Sequence, residues 1–338
     1  MSKKVNIAID AMGGDNSPKK IIDGINISLK KNKDNFFHLY GNEEKIKKEI
    51  GKNNLITKYC NIINTSDTIL DDESPLSAAK RGKESSMWKT IESQKENISD
   101  ISLSAGNTGA LLVISRLILS TIDGISKPAL AGLWPNQNNM NVVLDLGANV
   151  ECNEKNLLDF ASMGSALYKS LFQNEIPKVA LLNIGLEENK GNETLKKTFS
   201  FLKNKNLSNF DFCGYIEGNH IMDGNVDVIV TDGFTGNIAL KTAEGTANFI
   251  TKNLKKSLNK LSILLSFNSL NKFKQKLDPR KYNGAIFLGL ESPVVKSHGG
   301  TDALGFAYSI EMCNKIVNAN LIQKIKSNLI TVDAELKQ

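Results

Sequence analysis

Arginine is almost missing from this sequence: three residues (Arg81, Arg116, Arg280) stand against 39 lysines in a chain of 338. Lysine has no planar fork for bidentate recognition. A substrate site built on an arginine cluster, as a decarboxylating dehydrogenase wants, is therefore disfavoured. Histidine is scarce too, and His38, His220 and His298 do not cluster. The four cysteines at 60, 152, 213 and 313 form no CxxC. Neither pattern supplies a zinc site, so no metal is expected, and the thiols read as the reduced cysteines of a cytosolic chain. Aromatics reach only 7%, too few to interleave a basic stripe with base-stacking rings, so nucleic acid is not an expected partner. No apolar run approaches the roughly 18 residues of a membrane span, and the nearest stretch, Ala110 to Ile122, contains Arg116. Val5 to Asp10 is too short for a signal sequence. GxGxxG, GxxxxGK[ST] and GxSxG are all missing, which removes the dinucleotide fingerprint, the P-loop and the serine-hydrolase elbow; no cofactor is expected.

What remains is ordinary globular composition, 41% hydrophobic and 23% charged. Short apolar segments alternate with longer helical ones. Strands are expected at Val5–Asp10, Phe36–Tyr40, Tyr59–Asn64, Ile101–Ser104, Val142–Leu146, Lys178–Asn183, Phe210–Ile216 and Val226–Thr231. Helices between them include Pro18–Lys31, Pro75–Lys95, Thr108–Leu119, Lys155–Leu171 and Glu193–Lys203. Asn16-Ser17-Pro18 reads as a capped helix start. Several strands are apolar throughout, as when both faces are covered. The expectation is a three-layer α/β/α fold with a mostly parallel sheet, one interwoven unit over residues 1–338.

Residues 246–281 break that pattern, with no glycine and one proline. Ile250, Leu254, Leu258, Leu261 and Leu265 share one helical face, and Leu270, Phe273 and Leu277 resume the spacing after Asn268-Ser269. This predicts an amphipathic helical hairpin with an apolar tip at Ile263, Leu264 and Leu265, flanked by Lys256, Lys260 and Lys272. The net charge of +6 sits here. Residues 251–281 hold nine Lys or Arg and one acid, so the remaining chain is slightly acidic, with 33 positive and 35 negative groups. A local contact with anionic lipid or an acidic protein is the functional reading, and packing into a subunit interface the bland one.

Chemistry is concentrated in the polar, glycine-bearing loops that follow five of the strands. Asp10, Gly13 and Gly14 follow the first; Ser104, Gly106, Asn107, Thr108 and Gly109 the fourth; Asp145 and Asn149 the fifth. Asn183 and Lys190 follow the sixth, and Asp232, Gly233 and Asn237 the eighth. At the carboxyl ends of parallel strands such loops line a ligand crevice, with backbone N–H groups open to an anion. Five on one sheet edge predict substrate binding there. Lys190, Lys241 and Lys296 are candidate anion ligands, and His298 is either a proton donor or a loop brace. Most lysines in so lysine-rich a chain are solvated surface. His38 and Cys152 read as structural, and no nucleophile with a positioned base is evident.

The loops resemble those of the acyl-ACP:phosphate acyltransferase family. The resemblance runs from about Val5 to Ile316. It is carried by Ile7-Ala-Ile-Asp-Ala-Met-Gly-Gly-Asp15, Ser85-Ser-Met87, Ser104-Ala-Gly-Asn-Thr-Gly-Ala-Leu111, Asp145-Leu-Gly-Ala-Asn149, Thr231-Asp-Gly-Phe-Thr-Gly-Asn-Ile-Ala-Leu-Lys241, Asp278-Pro-Arg-Lys-Tyr-Asn-Gly-Ala285 and Val295-Lys-Ser-His-Gly299. It implies a Rossmann-like fold related to isocitrate and isopropylmalate dehydrogenases and to phosphotransacetylases. It implies transfer of a fatty acyl group from acyl carrier protein to inorganic phosphate in phospholipid synthesis, a homodimer, and peripheral association with the cytoplasmic membrane face. Residues matching Lys190 and Asn237 are its implied catalytic pair. The family's usual arginines are replaced here by Lys80 and Lys127.

Such a reaction suits a site without a triad, because much of the phosphate at cellular pH is already the dianion. Positioning and oxyanion stabilisation can carry the rate. On this reading Lys190 and the backbone at Gly13-Gly14 and Gly106–Gly109 hold phosphate, and Asn237 donates to the oxyanion. The competing readings are a nicotinamide-dependent dehydrogenase of related fold and a non-catalytic membrane-surface scaffold, which leaves the polar loops unexplained.

Overall fold

The computed structural model describes residues 4–172, 176–205, 207–257 and 278–336. Eleven strands form one sheet: β1 (Val5–Asp10), β2 (Asn35–Gly41), β3 (Cys60–Asn64), β4 (Ile101–Ser104), β5 (Ala129–Pro135), β6 (Met140–Leu144), β7 (Lys178–Asn183), β8 (Asp211–Glu217), β9 (Val228–Val230), β10 (Ala285–Leu288) and β11 (Val294–Lys296). Their order is β3-β2-β1-β4-β11-β10-β5-β6-β9-β7-β8. Strand side chains alternate between two cores. Val142, Leu144, Ile286 and Leu288 point into one, and Val143 and Phe287 into the other. Covering the first face are α1 (Lys19–Lys31), α2 (Glu43–Ile50), α3 (Asn54–Tyr59), α7 (Glu154–Phe172), α8 (Glu193–Lys203), α10 (Ala303–Asn318) and α11 (Leu321–Leu336). On the second face lie α4 (Pro75–Arg81), α5 (Ser86–Lys95), α6 (Thr108–Leu119) and the first turns of α9 (Gly233–Ser257). The result is the expected mostly parallel α/β/α sandwich.

Three strands escape the sequence reading, and they change its consequence. β5 contains Gly132 and ends in proline, while β10 and β11 have only four and three residues inside a glycine-rich stretch. β10 pairs antiparallel with both β11 and β5, and β5 pairs antiparallel with β6. The parallel block β3-β2-β1-β4-β11 therefore runs opposite to the parallel block β6-β9-β7-β8. The five polar loops do not share one sheet edge. Two follow strands of the first block and three follow strands of the second.

Two helix expectations are also corrected. Pro75–Lys95 is not one helix: a 3-10 turn at Gly82–Glu84 and the extended Ser85 divide it. Ser85 caps α5 through Trp88 N, and the break presents the next hydroxyl, Ser86, to Asp10. At α1, Pro18 itself occupies the cap position, and Ser17 instead donates to Gly13 O at 2.6 Å. Of the segment 246–281, where a hairpin is expected, the described part up to Ser257 is the continuation of α9. Phe249, Ile250, Leu254 and Lys256 are exposed on it. Lys260, Ile263, Leu264, Leu265 and Lys272 lie outside the described residues. Among the described residues, no helix is long and apolar enough to cross a membrane.

Candidate active site

At the carboxyl ends of β1, β4 and β11 the backbone closes around a buried carboxylate. Asp10 accepts from Ser86 Oγ at 2.6 Å, Ser104 Oγ at 2.7 Å and Met12 N at 3.2 Å. Ser104 Oγ in turn accepts from Gly106 N at 3.1 Å. Burial pushes the Asp10 carboxyl up, and these hydrogen bonds oppose the shift. Gly13 has no room for a side chain: a Cβ there would lie 2.6 Å from both Asp10 Oδ2 and Gly106 N. The two glycine loops are thus locked face to face, as an anion cradle requires.

Lys296, the last residue of β11, is 9% exposed and donates to Ala105 O and Ser297 O. Burial lowers its pKa to about 8. His298 is exposed beside it. Its Nδ1 accepts from Gly300 N at 3.1 Å, so the neutral ring carries its proton on Nε2. Partial desolvation of the ring, with the nearby lysines, lowers the His298 pKa against the opposing pull of Glu244. In the same region Asn107 is spent on structure: Oδ1 caps Ala110 N, and Nδ2 donates to the carbonyls of Asp71 and Glu73. Thr108 is exposed at the first turn of α6, and Gly109 packs against Pro75.

At the opposite strand ends, those of β6, β9 and β7, the loops look inward on themselves. Asp145 accepts from four backbone N–H groups, of Leu130, Gly147, Ala148 and Asn149, and from Asn149 Nδ2. Asn149 Nδ2 also donates to Pro128 O. Asp232 holds the first turn of α9 through Thr235 N and Oγ1. These side chains build the loop rather than face a ligand. What they hold is Asn237, whose side chain is exposed and rests 3.5–3.7 Å from where a side chain at Gly147 would begin. Close approach makes this possible: a Cβ on Gly236 would stand 1.9 Å from Asp145 O, and one on Gly233 2.6 Å from Asn149 O. In the β7 loop, Asn183 Nδ2 donates to Lys190 O, leaving the Lys190 side chain exposed. Apolar neighbours are exposed throughout this end: Val150, Ile184, Leu186, Phe234 and Ile238. The Cys152 thiol nearby is pushed up to about 12 by burial, so it stays protonated.

Helix α9 connects the two ends. Asn237 lies near its start, and Lys241, one turn on along the same face, is close enough to depress both Lys296 and His298. Residues that the strand directions separate are thus gathered along one helix. Lys20 also lines this candidate site but escapes the sequence reading, and Ser86 enters that reading only within the Ser85-Ser-Met87 motif. The signal for Lys20 is its place on the buried stripe of α1 with Gly24 and Ser28.

The sheet of two opposed parallel blocks, with glycine loops at both sets of strand ends, is an α/β/α fold shared with solved phosphotransacetylase structures. A phosphotransacetylase from Streptococcus pyogenes superposes with a TM-score of 0.61 at 15% identity, covering 95% of this chain and 94% of that one. A 4-hydroxythreonine-4-phosphate dehydrogenase from Klebsiella pneumoniae does so with a TM-score of 0.52 at 13% identity, covering 94% and 99%. At such identities only the fold is shared. Sequence carries the comparison further. The profile of the family described as fatty acid synthesis protein matches residues 5–324. A phosphate acyltransferase from Pelagibacter ubique is 60% identical over 334 residues, covering 97% of this chain and all of that protein. The chain belongs to this fatty acid synthesis protein family and is an acyltransferase.

Proposed function

We propose that the protein transfers a fatty acyl group from acyl carrier protein to inorganic phosphate, releasing the free carrier and an acyl phosphate for phospholipid synthesis. The observation that carries this reading is the contrast between the two ends joined by α9. One is a buried, lysine-bearing glycine cradle suited to an oxyanion. The other exposes Lys190, Asn237 and apolar side chains suited to a thioester and its chain. In the reaction a phosphate oxygen attacks the thioester carbonyl carbon, the C–S bond breaks, and the carrier thiolate leaves and takes up a proton. Phosphate needs little activation, so no strong base is required. Lys190 steers the phosphate into line, and Asn237 Nδ2 donates to the oxyanion that develops. Thiol release from acyl carrier protein that depends on added phosphate, with acyl phosphate recovered as product, tests the assignment. Release at the same rate without phosphate identifies a hydrolase instead.

The chain is read as one unit of residues 1–338 with the hairpin 246–281 inserted, and as a homodimer. Phe249, Ile250 and Leu254, exposed on α9 together with Lys252 and Lys256, support peripheral contact of this element with an anionic membrane surface or the acidic carrier. Flotation of the Leu264→Glu variant with anionic liposomes beside wild type tests the membrane contact; unchanged binding removes the tip from it.

A further inference from the structure

Lys20 has no counterpart in the reading above. It is 5% exposed, and its ammonium donates to Gly299 O. A Cβ on Gly14 would meet Lys20 Nζ at 2.8 Å and Ala105 O at 2.8 Å, and Ala105 O is also an acceptor of Lys296 Nζ. Two ammonium groups from different elements, α1 and β11, thus converge on the same glycine loops. Among the described residues neither is in an ion pair, and the hydrogen bonds of both go to backbone carbonyls. Asp15 and Asp71 act on Lys20, and Asp71 and Asp10 on Lys296, with opposite charge, but among the described residues none is in ion-pair contact with either ammonium. Burying two like charges without a contacting counter-charge is costly, and a fold keeps such an arrangement where something else supplies it. Burial depresses both lysines, and Lys20 is close enough to push Lys296 down further. Asp10 does not serve as the partner, since its oxygens are already engaged by Ser86, Ser104 and Met12 N.

We propose that Lys20 and Lys296 together form a phosphate-oxyanion site at the ends of β1, β4 and β11, with Lys20 as the second cation that fits it to a dianion. The inference deepens the acyltransferase reading and rests on it for the identity of the ligand. The oxyanion has two possible sources, inorganic phosphate and the phosphodiester of a carrier's thiol arm. Inorganic phosphate, which alone can carry two charges, matches two ammonium groups better.

The test is direct binding of inorganic phosphate by calorimetry to the full chain, beside the Lys20→Met and Lys20→Arg variants, with the Michaelis constants for phosphate and for acyl carrier protein measured separately. Losing one charge-assisted contact is expected to weaken phosphate binding about 10- to 100-fold in Lys20→Met, with partial recovery in Lys20→Arg. A raised KM for phosphate alone assigns the site to inorganic phosphate. Unchanged phosphate binding with a raised KM for the carrier assigns it to the carrier's phosphodiester. If neither moves, Lys20 is a brace for the Gly299 loop and the proposal falls. Calorimetry needs no turnover, so weakened phosphate binding in a chain that fails to transfer acyl groups would sink the acyltransferase reading and leave the site standing. Thermal melts without phosphate guard against misfolding: a ligand-binding lysine predicts that Lys20→Met melts no lower than wild type, because a buried unpaired charge is removed.

Discussion

The two ends of the sheet solve opposite problems. At β1, β4 and β11 the buried cations have no acid in ion-pair contact among the described residues, whereas Asp10, a buried acid there, is saturated with donors. At β6, β9 and β7 the acids and amides saturate one another, and the side chains left over are Lys190, Asn237 and an exposed apolar set. One end is preorganised to receive a small, strongly hydrated anion, because its polar groups are fixed and dry. The other is held rigid so that a few exposed groups can meet a large, partly apolar partner. Polar residue type alone does not separate these roles. Asp10 and Asp145 are both buried aspartates in glycine loops, and both are pushed up by burial. What distinguishes the ends is where hydrogen-bonding capacity remains unspent.

Breaking the reacting centre gives the largest expected effect. Asn237→Ala removes an exposed amide beside Gly147, so turnover should fall about 10²- to 10³-fold while the melting temperature holds. Lys190→Ala should fall comparably. Near wild-type acyl phosphate formation by either variant would strip it of its role. The next largest effect concerns the support beneath Asn237. Gly236→Ala would drive a methyl to 1.9 Å from the Asp145 carbonyl oxygen, a backbone atom rather than the far end of a flexible side chain. Destabilisation of about 3 kcal/mol or more is expected by chemical denaturation, with activity lost in the fraction that stays folded. A variant that melts with wild type would mean that α9 starts elsewhere, and the link between the two ends would dissolve.

Most of the architecture was legible in the sequence because the long parallel strands and helices carry strong periodic signals. β1, β4 and β7 fall where expected to the residue. The reversal of the sheet was not legible, because it depends on β10 and β11, strands of four and three residues whose pairing is a tertiary fact. An apolar run as brief as Ala285–Leu288 has no period to read, and Val294–Lys296 ends on a charge. That omission placed all five loops on one edge. The glycine motifs were legible as a set of strand-end loops, but their division between two edges was not. Lys20 was hidden among 39 lysines, since only burial sets it apart, and Ser86 was visible only as part of a motif. The Asp and Asn side chains were overread for the converse reason: a sequence does not show that Asp145, Asn149 and Asp232 have spent their hydrogen bonds at home.

The smallest effect, and the sharpest on the comparison, is a pH dependence confined to one end. Lys296 titrates from about 8 in the folded chain against 10.5 for a free lysine. Asp71 and Asp10 face it with opposite charge, and Lys20 and Lys241 with like charge. Below pH 8 it is charged folded and unfolded, so the full penalty of its burial is present. Between 8 and 10.5 the unfolded chain binds more protons, so stability without ligand should climb with pH over that window. Phosphate needs the ammonium, so its affinity should move the other way, falling up to about tenfold per pH unit above 8. Phosphate itself is dianionic throughout that range and adds no slope of its own. Melts of wild type with and without phosphate from pH 7 to 10 therefore should converge as pH rises. Lys296→Met should melt higher than wild type near pH 7, lose the upward slope and show little phosphate protection at any pH. Parallel wild-type curves would remove Lys296 from phosphate binding and with it the assignment of the buried end.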